Sequence, residues 1–135
     1  MPAKNVECSV WNHNPKPEES VTWEGSCVNG KAAGKGIASW FNRGILTQTN
    51  EGEFVDGKWS GKGKLVDADG RVFDGEFRDS RFYGRVSWKN GTFFEGEFVN
   101  GQPHNAEGKQ MPPSPTKDAR AVLITFKNGV ASIHD

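Results

Sequence analysis

Apolar and polar residues alternate along much of this chain with a period of two. Phe73, Gly75 and Phe77 interleave with Asp74, Glu76 and Arg78, the pattern of a strand with one apolar and one polar face. The same beat recurs at Trp23-Glu24-Gly25, Asn50-Glu51-Gly52-Glu53-Phe54 and Phe94-Glu95-Gly96-Glu97-Phe98. Four and five residues after each central glycine stands a turn dipeptide: Asn29-Gly30, Asp56-Gly57, Asp79-Ser80, Asn100-Gly101. Such pairs favour the positive φ angles of a type I′ turn, so each unit is predicted to be a β-hairpin. The central glycines lie 27, 23 and 21 residues apart, a repeat that decays toward the C-terminus.

Centring each hairpin on its turn predicts a register. Gly25, Gly52 and Gly75 then oppose Gly34, Gly61 and Gly84. Glu24, Glu51 and Asp74 oppose Lys35, Lys62 and Arg85, and Phe54 and Phe77 oppose Trp59 and Phe82. The paired glycines leave a furrow for an aromatic ring of the neighbouring hairpin. Their role is therefore packing. Gly34-Lys35-Gly36 and Gly61-Lys62-Gly63 match no phosphate-binding fingerprint and have no strand-to-helix setting.

The ends break the pattern. Val6 to Trp11 alternates and is expected to add an edge strand, with the Pro- and Glu-rich stretch to Ser20 as a loop. Met111-Pro112-Pro113-Ser114-Pro115 interrupts the sheet, because proline supplies no N–H. A short helix over Thr116 to Ala121 is compatible with the residues there. Beyond it, Val122 to Phe126 and Val130 to Ile133 read as a last hairpin around Asn128-Gly129, expected to cover the final repeat or fold over the aromatic face. The expected organisation is an N-terminal strand and loop (1–20), a repeat array of about four hairpins (21–110), a Pro-rich linker (111–120) and a capping hairpin (121–135). The fold class is all-β: a single elongated, twisted antiparallel sheet of stacked hairpins.

Composition narrows the function. Seventeen basic and seventeen acidic residues give a formal net charge of zero, which removes the electrostatic pull that nucleic-acid binding rests on. Nine Phe, five Trp and one Tyr are too many aromatics for a disordered chain. His13, His104 and His134 are scattered without companion ligands, and Asp67-Ala68-Asp69-Gly70 lacks the later oxygens of a calcium loop. The repeated carboxylates mostly face basic residues, and Ser26, Ser60 and Ser87 lack a nucleophile setting. We therefore expect no catalysis, cofactor or metal. The aromatics Trp23, Phe54, Trp59, Phe73, Phe77, Phe82, Trp88, Phe94 and Phe98 share one predicted face. That face is either closed by ring stacking or open as a binding trough. Tyr83 and Arg85 stand on the opposite face, a pairing favoured at interaction hot spots. The candidate binding residues are Trp59, Phe77, Phe82, Tyr83, Arg85, Trp88 and Phe98.

No apolar segment follows Met1, so at face value the chain is expected in the cytoplasm. Cys8 and Cys27 read either as small half-buried thiols or as a disulfide stapling the N-terminal segment to the first repeat.

The aromatic-Glu-Gly-Glu-aromatic strand, the Asn-Gly turn and the Gly-Lys-Gly that follows resemble the MORN repeat, over roughly Val21 to Gly108. Copy two has Asn50 where the family usually has Tyr. In copy three Ser80 and Val86 replace glycines, and Pro103, His104 and Asn105 replace the usual start of strand two in copy four. Such decay suits a terminal repeat with no neighbour. The resemblance implies a non-catalytic module that binds another protein or a second copy of itself. Its alternative is a peripheral membrane or phosphoinositide-binding module, which the balanced charge disfavours. The N-terminal segment with its two cysteines is also similar to that of bacterial MORN proteins bearing signal peptides. That similarity implies a periplasmic or secreted location if Met1 stands in for a removed leader.

Overall fold

The computed structural model describes residues 1–12, 15–79, 81–112 and 120–134. Among these residues ten antiparallel strands follow one another: β1 (Glu19–Val28), β2 (Lys31–Asn42), β3 (Ile45–Val55), β4 (Lys58–Asp67), β5 (Val72–Arg78), β6 (Arg81–Ser87), β7 (Phe93–Val99), β8 (Gln102–Gln110), β9 (Val122–Lys127) and β10 (Val130–His134). Strand order is chain order, and no helix occurs among the described residues. The fold is an all-β meander of consecutive hairpins. It divides into two compact units, Met1–Asp69 and Gly70–Asp135. Asn29, Asp56, Asp79, Asn100 and Asn128 all have φ between 50° and 54°, as the turn chemistry requires. Arg43-Gly44 makes a further turn of this kind between β2 and β3. The Asp67 to Gly70 stretch is an ordinary turn, in which Asp67 Oδ1 accepts from the Asp69 N–H at 3.0 Å. Ser80, His13, Pro113 to Pro115 and the 116–119 part of the suggested helix lie outside the described residues.

In the first unit the register differs from the expected one. Gly25 opposes Gly36, and Gly52 opposes Gly63, although Phe54 does oppose Trp59. A bulge accounts for the shift. Gly34 and Lys35 are extra on β2, and Glu53 alone stands against Ser60 to Lys62 on β4. Gly34 and Gly61 adopt φ of 76° and 88°, so glycine supplies the left-handed backbone that the bulge needs. Glu24 consequently faces Ile37 and Glu51 faces Lys64, while Lys35 faces Glu53 of the next strand. In the second unit the β5–β6 hairpin is flush, with Gly75 against Gly84, Asp74 against Arg85 and Phe77 against Phe82.

In the β1–β2 and β5–β6 hairpins the glycine furrow is filled from within. A Cβ placed on Gly25 would lie 2.6 Å from the Trp23 ring, and one on Gly84 would lie 3.0 Å from Cζ of Phe82. Ring and glycine are two residues apart on one strand and so share a face. The ring leans along its own strand, which is why no neighbouring hairpin is needed.

The N-terminal segment does not add an edge strand; Ser9 makes only isolated bridges, to Pro2 and Lys31. It is a strap laid over the apolar face of the first unit. Ala3, Cys8 and Val10 are buried with Val21, Trp23, Ala32, Ala38 and Phe54, and Trp40 and Trp59 pack against this cluster. Cys8 and Cys27 form a disulfide with a Cα–Cα distance of 6.0 Å across 19 residues. Asn50 is buried and its side-chain oxygen accepts from Trp40 Nε1 at 2.9 Å and Gln48 Nε2 at 3.1 Å, which gives this departure from the family pattern a structural role.

In the second unit, rings cover rings. Phe82 lies 5.5 Å from Phe73, 4.6 Å from Phe77 and 5.8 Å from Phe98, and Phe94 meets both Trp88 and Phe126. The last hairpin does not fold over this face. Strand β9 pairs with β8, from Ala106 against Phe126 to Gln110 against Val122, so the hairpin extends the sheet.

Candidate protein-interaction surface

The structure separates the candidate residues. Trp59 belongs to the first unit, and Phe77, Phe82, Tyr83, Arg85, Trp88 and Phe98 belong to the second. Phe82 and Phe98 are 3% and 2% exposed; they are packing residues and present no surface to a partner. Phe77 and Trp88 are half-buried at the margins of the same ring stack. The Arg71 guanidinium lies near Phe73 and Trp88, at 4.9 and 6.0 Å from the ring centres.

On the opposite face Tyr83 is exposed, with Arg78 lying 5.5 Å from its ring centre. Arg85 stacks on Phe93 at 4.0 Å. Arg81 Nη1 donates to Glu97 at 2.7 Å, and Asn105 Nδ2 donates to the other oxygen of that carboxylate at 2.9 Å. The Asn105 amide first, and the Arg81 guanidinium with it, hold the Glu97 carboxyl below its ordinary range despite partial desolvation. Arg78 is bonded to Glu76 on its own strand. These cations are thus paired or stacked within the protein.

A more open site lies at the β3–β4 turn of the first unit. Trp11, Val55, Asp56, Lys58, Trp59 and Ser60 line a groove of about 450 Å³. Trp11 is 51% exposed and Val55 64%, and the Lys58 ammonium sits 4.7 Å from the centre of the Trp11 ring. The strap builds one wall: Trp11 N–H donates to Gly57 O at 2.7 Å, Gly57 N–H to Ala32 O at 2.8 Å and Ala32 N–H to Ser9 O at 2.9 Å. A Cβ on Gly57 would lie 3.0 Å from Ser9 O, so glycine at the turn lets the strap pass. The sequence pointed to Trp59 but not to Trp11 or Val55. The alternation of Val6 to Trp11 and the cysteine pair signalled that the N-terminal segment returns to the sheet, but not that it crosses the sheet face.

Among the described residues no group of metal-ligating side chains occurs, and no helix is long and apolar enough to cross a membrane. The family model for the MORN repeat matches residues 23–45, 51–70 and 94–105. The chain thus carries the MORN-repeat pattern over these three segments. The matched segments pass over 71–93, where the flush hairpin lies and Val86 stands in place of a repeat glycine. No curated protein matches the chain. MORN repeats are non-enzymatic units that generally mediate protein or membrane interactions.

Proposed function

We propose that this MORN-repeat chain is a non-catalytic protein-binding module whose contact site is the groove of Trp11, Val55 and Trp59. The observation that carries this reading is the exposure of Trp11 and Val55 beside an indole wall at a turn fixed by the strap. Rigid indole surface flanked by one charge of each sign, Asp56 and Lys58, suits an apolar side chain from an extended partner segment. A peptide library displayed on phage and selected on the oxidised chain should enrich sequences with an aromatic or large aliphatic anchor. Trp11→Ser and Val55→Asp should each lower their affinity at least tenfold, with circular dichroism unchanged. Enrichment that survives both substitutions would remove the groove from consideration.

Membrane contact is the second reading. It is disfavoured because Arg78 and Arg81 are held by Glu76 and Glu97, leaving no uncompensated cluster there for anionic lipid. Salt-sensitive co-sedimentation with phosphoinositide vesicles would reverse the order. The disulfide supports an oxidising compartment, periplasmic or extracellular, as the working location. Thiol alkylation of the protein isolated from its native source tests this: two alkylated cysteines without prior reduction would place it in a reducing compartment.

A further inference from the structure

We propose that β10 is a self-pairing edge, through which the chain forms a two-fold symmetric dimer centred on Ser132. All five residues of β10 are exposed, with Val130 and Ile133 each 68% accessible. Exposed edges are ordinarily blunted by lysine, proline, a bulge or a covering segment. Between Val130 and Ile133 there is no charge and no proline, and the β9–β10 ladder has no register shift.

The ladder fixes which backbone groups are free. Asn128-Gly129 forms a two-residue turn, with Val130 against Lys127, Ser132 against Thr125 and His134 against Leu123. In such a hairpin the residues flanking the turn exchange hydrogen bonds and the pattern then alternates, so Val130, Ser132 and His134 bond inward to β9. The N–H and C=O of Ala131 and Ile133 point outward. Antiparallel pairing with a second β10 about Ser132 sets Ala131 against Ile133 of the copy, and Ile133 against its Ala131. Every outward group then finds a partner. Ser132 meets its symmetry mate at a non-hydrogen-bonded position, where the Cα atoms approach to about 4.5 Å and a small side chain fits.

The side chains agree with this register. Ile133 and Ala131 lie opposite Ile124 and Phe126, on the face where Phe126 packs on Phe94. Pairing continues that apolar face into the second copy and covers Ile133. His134 falls opposite Val130, so no imidazole meets its own copy. The first strand of the chain cannot serve as an alternative acceptor. Asn5 takes both the N–H and the C=O of Trp23 at 2.9 Å, and Lys4 N–H takes Val21 O at 2.9 Å. Head-to-tail growth of β10 onto the Val21–Trp23 stretch of β1 is therefore blocked, which favours the closed dimer. A strand pair of this length buries less than the roughly 1,600 Å² of a standard interface, so the dimer depends on concentration.

Sedimentation velocity of the full oxidised chain from micromolar to millimolar concentration should show monomer passing to dimer and nothing larger. Ala131→Pro deletes an outward N–H, and Ser132→Lys sets like charges across the two-fold axis. Each should weaken dimerisation at least tenfold while circular dichroism is retained. Ser132→Cys should give a disulfide-linked dimer on mild oxidation, and Val130→Cys should not. A monomer throughout, continued growth beyond dimer, a dimer indifferent to Ala131→Pro and Ser132→Lys, or equal cross-linking of both cysteine variants would each overturn the proposal.

Discussion

The two units of this chain start from the same hairpin motif and close their apolar faces differently. In the first, Trp23 and Phe54 are covered by a separate piece of chain, the N-terminal strap, tied down by Cys8–Cys27 and by backbone bonds to the turns. In the second, Phe73, Phe77, Phe82 and Phe98 shield one another. A single-layer sheet cannot bury a face against itself unless its side chains are large and close enough to act as their own second layer. Four phenylalanines on adjacent strands satisfy that condition. The first unit has Ala32 and Ala38 among its buried positions and needs the strap.

The largest expected effect breaks the self-covered unit. Phe82 is 3% exposed and touches three other rings, so Phe82→Ala should cost about 3–5 kcal/mol. Hydrogen exchange read by mass spectrometry should localise the loss of protection to β5–β8. Equal loss in β1–β4 would show that the two units do not close independently.

Next in size is the tether. Reduction, or Cys8→Ser with Cys27→Ser, frees a loop of 19 residues and should lower the stability of the first unit by roughly 3 kcal/mol. Exchange should rise in the strap and β1 while β5–β8 keep their protection, and Trp23 emission should shift to the red. A melting profile unchanged by reductant would mean that the strap is held by its buried side chains and backbone bonds alone.

These contrasts show why the sequence was legible in one unit and misleading in part of the other. The turn dipeptides and the alternation of Phe73 to Arg78 are local signals, and the flush β5–β6 register follows from them directly. The bulges do not, because Gly-Lys-Gly is compatible with either pairing. In the third copy Val86 occupies the place of Gly63 and the ladder stays flush, whereas β7–β8 shifts between Glu97 and Phe98 with no such triplet, so the glycines alone do not decide where a bulge forms. The strap was misread as a strand because Val6 to Trp11 alternates; its inward residues Cys8 and Val10 meet a sheet face rather than lengthening an edge. The groove was half visible. Trp59 belongs to the repeat, but Trp11 and Val55 come together only through the strap and the turn.

A smaller effect sharpens the comparison at the edge. Asn5 substitutes for a pairing strand along β1 by bonding both backbone groups of Trp23. Asn5→Ala should destabilise the first unit by about 1–3 kcal/mol, since two backbone groups lose their partner. If those groups recruit a second chain instead, sedimentation should reveal species larger than dimer, which the intact strap prevents.

The smallest expected effect concerns charge in the second unit. Asn105 and Arg81 hold the Glu97 carboxyl below its ordinary value, so the folded state binds that proton less readily than the unfolded chain does. A group depressed in this way contributes stability above its unfolded pKa, and the contribution fades as pH falls through its folded one. Glu97 is near the surface, where water and salt screen the pair, so the contribution is modest. Glu97→Gln should therefore lower the melting temperature of the second unit slightly at neutral pH, and the gap should close as pH falls below the carboxylate range. Raising the salt concentration at neutral pH should narrow the same gap. A difference that holds constant through acid titration would mean that Glu97 acts by its hydrogen-bond geometry with Asn105, which glutamine reproduces only in part, and not by its charge.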